Sequence, residues 1–207
     1  MTRDAGAPAW DPAGPFVSDV PPRRFFGYYP GVPTVVSAAH DGDANLLAVG
    51  WHAALSADPP MYGVAIADSR YTHRLGVASG AFAVHFLPFS AVRAVAGSGS
   101  LTRHDGSDKF AALRLSTTPG VVTGAPLIGE AYLAYECRLA QRIPTGDHEW
   151  WVGEVVAVHH RPEAFDDQGL LRPDTGATVY YGRARYEALG AGETAAFPPG
   201  SFDDPAD

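Results

Sequence analysis

The sequence lacks the features that define several large classes of protein. It contains a single cysteine, Cys137, in 207 residues, so an internal disulfide framework is excluded. It has no apolar run long enough to cross a membrane and no apolar segment near its start of the kind that directs export. Acidic residues outnumber basic ones, the formal net charge is -8, and no basic cluster is present. These absences argue against a disulfide-stabilised secreted protein, a membrane protein and a nucleic-acid binder, and they predict a cytoplasmic location.

The common catalytic motifs are also missing. There is no GxxxxGK[ST] phosphate loop, no GxSxG nucleophile elbow and no HExxH metal motif. The segment GSGSLT at residues 97–102 begins like a dinucleotide-binding fingerprint, but threonine stands where the third glycine should be, so we expect a loop there. His159 and His160 are adjacent, and neighbours on a strand point to opposite faces, which makes them poor joint metal ligands. The sequence therefore predicts no metal site.

What the sequence does contain is typical of one globular domain. Hydrophobic residues make up 46% and charged residues 18%, which supplies a substantial core. Residues 1–24 are rich in proline and without periodicity, and residues 188–207 are rich in Ala, Gly, Pro and Asp. We therefore predict one domain over residues 25–187, with an N-terminal arm before it and a C-terminal tail after it.

The apolar segments of this domain have the pattern of β-strands. They are rich in β-branched and aromatic residues and are mostly bounded by Gly, Pro or Asp, and they cover residues 34–39, 45–51, 61–66, 81–87, 131–143 and 150–161. After Trp51 the chain is expected to enter a polar loop that Pro59 and Pro60 close. Helices are fewer: Ser69 is a candidate cap for a helix that Gly80 ends, and Ser107 for a shorter one. Because helices do not alternate with the strands, an antiparallel barrel with short helical insertions is favoured over a doubly wound nucleotide-binding fold.

The order and spacing of several motifs resemble a known family. From about residue 25 to residue 186 the chain contains YYPGVPTVV, N-x-x-A-x-G-W-x-x-x-x-S-x-x-P-P, ADSRYTHRL, GAFAVHF, SGSLTRHDGSDKF, LAYECRL and GDHEWWVGEVVAVHH. This series is similar to the flavin reductase-like family, the FMN-binding split β-barrels that include flavoredoxin and the small reductase components of two-component monooxygenases. The resemblance implies a mainly β, antiparallel FMN-binding split β-barrel with short helical insertions, assembled as a homodimer.

The resemblance places the flavin ring beside the strand that runs from Asn45 to Trp51. Backbone amides of Ala48, Val49 and Gly50 would hydrogen-bond the isoalloxazine edge, Trp51 would form an aromatic wall, and Ser56 would lie in the loop that turns beside the ring. The family frequently has Thr or Ser where this chain has Ala48 and Gly50, so hydroxyl contacts are missing there. From the residues alone, Trp51 as a core residue and Asn45 as a turn residue are an open alternative.

The segment SRYT supplies cations and hydroxyls at an expected helix start, which suits a phosphate. Ser69, Arg70 and Thr72 are the candidates, with Thr72 directed either to the phosphate side or to the ring. An ordinary helix start with a solvated arginine is the alternative.

Three later residues complete the site that the resemblance implies. Lys109, the only lysine in the chain, would bring an ammonium group to the flavin and stabilise its anionic reduced form. His148 is the candidate catalytic residue, set beside the flavin and the nicotinamide, and Tyr181 would pack near the ring. The alternatives are a solvated hairpin histidine and a tyrosine in the core, while Asp147 and Glu149 are interpreted as turn and surface residues.

The resemblance predicts a flavoprotein oxidoreductase. It would accept hydride from NADH or NADPH on FMN and pass electrons to free flavin or to a monooxygenase or other acceptor protein. Hydride transfer depends on stacking and proximity, which agrees with the absence of a catalytic triad. Two alternatives stay open: a flavoredoxin-like FMN electron carrier without efficient NAD(P)H oxidation, and a non-catalytic split-barrel binding protein.

Overall fold

The structure, a computed structural model, describes residues 30–190 and, before them, residues 14, 18 and 20. The predicted N-terminal arm and most of the predicted tail therefore lie outside the described residues. The limits of the 25–187 domain remain a prediction.

Strands predominate in the described chain. They are β1 Thr34–His40, β2 Asp43–Val49, β3 His52–Ala57, β4 Pro60–Ile66, β5 Ala81–Phe86, β6 Thr117–Pro119, β7 Pro126–Ile128, β8 Leu133–Thr145, β9 His148–His160, β10 Thr178–Gly182 and β11 Arg185–Ala188. The helices are α1 Tyr71–Ser79, α2 Val92–Ser100 and α3 Lys109–Leu113, with short 3-10 turns at Phe89–Ala91, Pro162–Ala164 and Pro173–Thr175. All six strands predicted from the sequence are confirmed.

Seven strands form one antiparallel sheet in the order β2-β1-β5-β8-β9-β4-β3. The long hairpin of β8 and β9 occupies its middle, and the β6–β7 and β10–β11 hairpins form two small separate sheets. The sheet curls, because one core cluster takes side chains from six of its strands, among them Val36, Phe82 and Trp151. The mainly β, antiparallel class predicted from the sequence is therefore confirmed.

Both faces of β1 and β2 are buried. Val36 and Leu47 point into the main core, whereas their neighbours Val35 and Leu46 point into a second core beneath α2 and α3. Successive strand residues face opposite sides of a sheet, so a strand covered on both sides is apolar without interruption. This explains the continuous apolar runs that predicted β1 and β2.

The helix ends differ in part from the expectation. Gly80 ends α1 in the left-handed conformation with φ of 65°, as predicted. The predicted cap Ser69 is wrong, because Arg70 is the residue before α1 and its side chain makes no capping hydrogen bond. The predicted cap Ser107 is also wrong: Asp108 caps α3, and its carboxylate accepts from the amides of Phe110 and Ala111 at 2.9 and 3.2 Å.

Two segments expected to be loops are regular structure. Residues 97–100 of the expected GSGSLT loop form the last turn of α2, where Gly97 lies against Leu113 so closely that a Cβ atom would fall 2.3 Å from its side chain. The expected polar loop after Trp51 contains β3, which pairs with β4. Its residues 53–57 are exposed, so the strand carried no apolar pattern by which to predict it.

Among the described residues, no helix is both long enough and apolar enough to cross a bilayer.

Candidate functional site

A cleft of about 360 Å³ opens where the end of β2, the last turn of α2 and the β10–β11 hairpin meet. We call it the main cleft. The sequence-predicted residues that line it are Ala48, Val49, Gly50, Trp51, Arg70 and His148. The fold thus brings together residues from β2, from the start of α1 and from the β8–β9 hairpin.

A smaller cleft of about 120 Å³ continues from the main cleft. We call it the polar branch. The two share Leu47, Arg70, Gly99 and Ser100 as lining residues, so they are contiguous. The sequence-predicted residues that line the polar branch are Asn45, Ser69, Arg70, Thr72 and Lys109.

Two rings face each other at the wall of the main cleft. The centroids of the Trp51 and His148 rings lie 4.9 Å apart, with the ring planes inclined by 59°. The His148 Nδ1 atom lies 2.7 Å from a carboxylate oxygen of Asp147, to which it donates, and this hydrogen bond lowers the pKa of Asp147. The Nε2 atom of His148 is therefore the ring nitrogen left for a molecule in the cleft.

Arg70 is the cation best placed to meet an anion in the polar branch. It stands immediately before α1, whose first amides and dipole also favour negative charge. Arg103, which lines the same branch, is engaged already: it donates to Asp43 at 2.9 Å and to the carbonyl of Ser107 at 2.9 Å. Among the described residues no carboxylate pairs with Arg70.

Asn45 presents an unused acceptor at the polar branch. Its Nδ2 atom donates to the Thr72 hydroxyl at 3.0 Å, and both side chains are buried. Its Oδ1 atom is also buried and has no hydrogen-bond partner. Buried polar atoms are rarely left unpaired, so a bound molecule with a hydrogen-bond donor would complete this group.

Lys109 holds two elements together beneath the polar branch. Its side chain is only 4% exposed, and Nζ donates to the carbonyls of Leu46 in β2 at 3.1 Å and Ser98 in α2 at 2.9 Å. Burial, and secondarily the charge of Arg70, lower the pKa of Lys109 to about 8. This scaffold role had no signal in the sequence, because both acceptors are backbone atoms distant along the chain.

Gly99 and Ala48 explain why the site has few hydroxyl groups on β2. A Cβ atom at Gly99 would lie 3.3 Å from the Cβ atom of Ala48, which is tight for two such atoms. A larger side chain at position 48 would therefore press on the last turn of α2. The absence of Thr or Ser at this position matches the close approach of the helix.

Two sequence-predicted residues do not line either cleft. Ser56 lies on the exposed edge strand β3. Tyr181 is 39% exposed and packs under the guanidinium of Arg185, which lies 5.0 Å from its ring centroid. Tyr180 and Tyr186, whose centroids are 4.9 Å apart, line the main cleft instead. Strand alternation separates Tyr180 from Tyr181, and only the orientation of β10 decides which one faces the cleft.

Sequence reasoning missed Glu149. It was interpreted as a surface residue, but its side chain is 20% exposed and accepts hydrogen bonds from Arg142, His73 and Trp151. Its neighbour Asp147, by contrast, is 90% exposed at the turn, as expected. A charged residue beside an exposed turn gives no sign of such partners in the sequence.

Comparisons with known proteins agree with this arrangement. The family model described as flavin reductase like domain matches residues 26–190. The chain is similar to the FMN-binding protein from Thermus thermophilus, solved with bound 1-cyclohex-2-enone: the two are 34% identical, the TM-score is 0.78, and the match covers 88% of this chain and 99% of that one.

Two curated relatives extend the comparison. An uncharacterised protein of Aeropyrum pernix is 37% identical over 131 residues, which are 63% of this chain and only 50% of that protein. The NADH-dependent FAD reductase of Streptomyces globisporus is 28% identical over 140 residues, which are 68% of this chain and 75% of that enzyme.

Proposed function

The chain belongs to the flavin reductase-like family and has its split β-barrel fold, and from this premise we propose that it is an FMN-dependent NAD(P)H oxidoreductase. It accepts hydride from NADH or NADPH and delivers electrons to free flavin or to a partner such as a monooxygenase component. Two similar proteins support this proposal, because one is described as FMN-binding and the other as an NADH-dependent FAD reductase.

The observation that carries the proposal is the joining of an aromatic cleft to a polar branch. FMN has a flat apolar ring system at one end and a phosphate at the other. The main cleft offers Trp51, His148 and the β2 backbone to the ring, and the polar branch offers Arg70 and the start of α1 to the phosphate. The unpaired Asn45 Oδ1 in the polar branch suits a hydroxyl or N–H donor of the cofactor.

The residues of this chain have binding and orienting roles in the proposed reaction. Bound FMN supplies the hydride chemistry itself. Trp51 and the amides near Val49 hold the ring, Arg70 holds the phosphate, and His148 positions the nicotinamide with its free ring nitrogen. Such positioning accounts for a large share of catalysis in hydride transfer, so no acid–base triad is needed.

We also propose that a second copy of the chain covers β3. This strand is one of the two edges of the main sheet, pairs only with β4 among the described strands, and exposes residues 53–57, which include Leu55 at 44% exposure. An uncharged exposed edge strand is prone to pair with another chain, and two-fold pairing is the commonest assembly. Light scattering of the FMN complex should give the mass of two chains, and a monomer mass at micromolar concentration would reject the dimer.

FMN titration tests the binding half of the proposal. Quenching of flavin fluorescence should saturate at about one FMN per chain, since the main cleft and the polar branch together form one site among the described residues. Haem and FAD serve as competitors of different shape. A flat FMN titration, with either competitor bound instead, would contradict the assignment.

A further inference from the structure

Glu149 joins three elements around the site. From β8, Arg142 donates to its carboxylate through Nε at 2.8 Å and through Nη2 at 2.7 Å. From α1, the Nε2 atom of His73 donates to it at 2.6 Å, and the indole Nε1 of Trp151 approaches it at 3.4 Å. One carboxylate therefore connects the start of β9 with α1 and with the facing strand.

The geometry of these bonds fixes the carboxylate in one orientation. A bidentate Arg–carboxylate pair constrains both distance and direction, more than a single ion pair does. His73 is buried and the side chain of Glu149 is 20% exposed, whereas that of Arg142 is 39% exposed, so the link to His73 is the better shielded of the two. Hydrogen bonds from Arg142 and His73 lower the pKa of Glu149 to about 2, so the carboxylate is charged at neutral pH.

The two connected elements carry opposite ends of the candidate site. Glu149 directly follows His148, whose ring forms a wall of the main cleft. His73 lies in the first turn of α1. The same turn contains Thr72 and directly follows Arg70, and both of these residues line the polar branch. A shift of β9 against α1 would thus move the His148 wall relative to the residues proposed to hold the phosphate.

We propose that Glu149 is a positioning residue, which sets the distance between His148 and the start of α1 and so holds the ring end and the phosphate end of the site in register. The role in turnover rests on the proposed function. The effect on the protein without FMN does not rest on the proposed function, because the hydrogen bonds of Glu149 involve only side chains of this chain.

Glu136 supplies a matched control. It is another carboxylate with several donors: it is fully buried and accepts from the amides of Val121, Val122 and Thr123, from the Thr123 hydroxyl and from His159. It lines neither the main cleft nor the polar branch. Loss of its charge should weaken the fold without a selective effect on the site.

The first measurement is amide hydrogen exchange of the protein without FMN, in wild type, Glu149→Gln and Glu136→Gln. Glutamine at position 149 would turn an amide N–H₂ group toward one of the two donors, and a donor cannot accept a hydrogen bond from another donor. The hydrogen bond to His73 of α1 or one to Arg142 of β8 is therefore lost. We expect exchange about tenfold faster both at residues 148–151 and at residues 71–74 in Glu149→Gln, since loss of a charged hydrogen bond raises local opening by this order. In Glu136→Gln the faster amides should be those of residues 121–123.

The second measurement is reduction of the FMN complex under anaerobic conditions by NADH, or by NADPH where NADH does not reduce the wild type. Glu149→Gln should slow it about tenfold, because misplacement of reacting groups is expensive, and dithionite reduction should be unchanged. The FMN complex of Glu136→Gln should be reduced at the wild-type rate, even if its melting temperature falls as far as that of Glu149→Gln. If Glu149→Gln does not fold, His73→Phe removes the donor of the link to α1 while it keeps a ring against Trp151, and it is expected to act in the same direction.

The outcomes separate the two proposals. Failure of the wild-type complex to react with either NADH or NADPH would reject the proposed function, while coupled exchange at residues 71–74 and 148–151 would still support the positioning role. Faster exchange at residues 148–151 with wild-type exchange at residues 71–74 would overturn the positioning role. If the wild type does react, an unchanged rate of FMN reduction by the nicotinamide in Glu149→Gln would overturn the positioning role as well.

Discussion

The Trp51 indole and the His148 imidazole lie with centroids 4.9 Å apart, one in the link between β2 and β3 and the other at the start of β9. The Trp51 carbonyl accepts from the amide of Ala65 in β4 at 2.9 Å, and Ala65 pairs with Trp150 of β9, so β4 brings the two rings together. The rings form one wall of the main cleft. In the proposed function Trp51 serves the flavin and His148 serves the nicotinamide, and the two roles are separable by mutation.

His148→Ala should leave FMN binding nearly intact and slow reduction by NAD(P)H about tenfold to a hundredfold, the cost of a lost orienting contact. Dithionite needs no nicotinamide site, so its reaction should be unchanged. Stopped-flow bleaching of the flavin band reports both rates. Equal NAD(P)H rates in the variant and the wild type would make the histidine a bystander.

Arg70→Ala should weaken FMN binding about tenfold to a hundredfold, since a hydrogen bond to a charged group contributes roughly 1.5–3 kcal/mol. Riboflavin lacks the phosphate and should bind both proteins equally. Arg74→Ala, within α1 and about one turn after Arg70, is the control: this side chain is 66% exposed and lies 3.7 Å from Asp43. Calorimetric titration with both flavins gives the comparison, and an equal loss for riboflavin would remove the phosphate role of Arg70.

How much the sequence predicted depends on where each segment's stability comes from. β1 and β2 were predicted because their burial on both faces shows as continuous apolar sequence. β3 was missed because its residues are exposed, and its strand form depends on pairing with β4. The Gly/Ser-rich end of α2 was missed because packing of Gly97 on Leu113 and Gly99 on Ala48 holds it, and such contacts outweigh weak helix propensity.

The candidate site divides in the same way. The motifs predicted that Asn45, Trp51, Arg70 and His148 belong to one site, and these residues line the two joined clefts. This could be predicted because their order along the chain follows the family pattern. The partners of Glu149 and Lys109 were beyond sequence reasoning. Glu149 depends on α1 packing against β9, and Lys109 donates to backbone carbonyls, which leave no trace in residue identity.

Lys109→Met should destabilise the protein without FMN, and the effect should grow at alkaline pH. Methionine leaves the Leu46 and Ser98 carbonyls without their donor, at a cost of about 2 kcal/mol for groups of this kind. At neutral pH, relief of the buried charge offsets part of this cost.

The pH dependence of this effect follows from linkage. The folded pKa is about 8 and the ordinary value 10.5, so in this interval the unfolded wild type holds the proton that the folded one has lost. Wild-type stability therefore rises with pH there relative to the variant. Urea unfolding at several pH values measures it, and equal stability of the two proteins throughout would show that Lys109 is no scaffold residue.

His85 should make the protein acid-sensitive. Its side chain is fully buried, Nδ1 lies 2.9 Å from the Val35 carbonyl, and burial lowers the pKa to about 4 from the ordinary 6.5. As pH falls from 6.5 towards 4, the unfolded chain binds a proton that the folded chain does not. The free energy of unfolding should therefore decrease, by about 3 kcal/mol in total for a shift of this size.

The matched variant for this test is His85→Gln, which cannot titrate in that range. Glu136 and Glu149, whose pKa values lie near 2, lose their stabilising charge only below about 4.5 and do so in both proteins. The difference between the two urea-unfolding curves therefore isolates the histidine. Parallel pH profiles between 6.5 and 4.5 would contradict the burial of a neutral imidazole.

Anaerobic stopped-flow mixing of the FMN complex with NADH, NADPH and dithionite tests the central proposal most directly. We expect at least one nicotinamide to bleach the flavin band in a single-turnover reaction whose rate saturates with the nicotinamide concentration. Saturation would report a bound nicotinamide beside the ring. Bleaching by dithionite alone, with no reaction from either nicotinamide, would contradict the oxidoreductase and leave a flavoredoxin-like electron carrier.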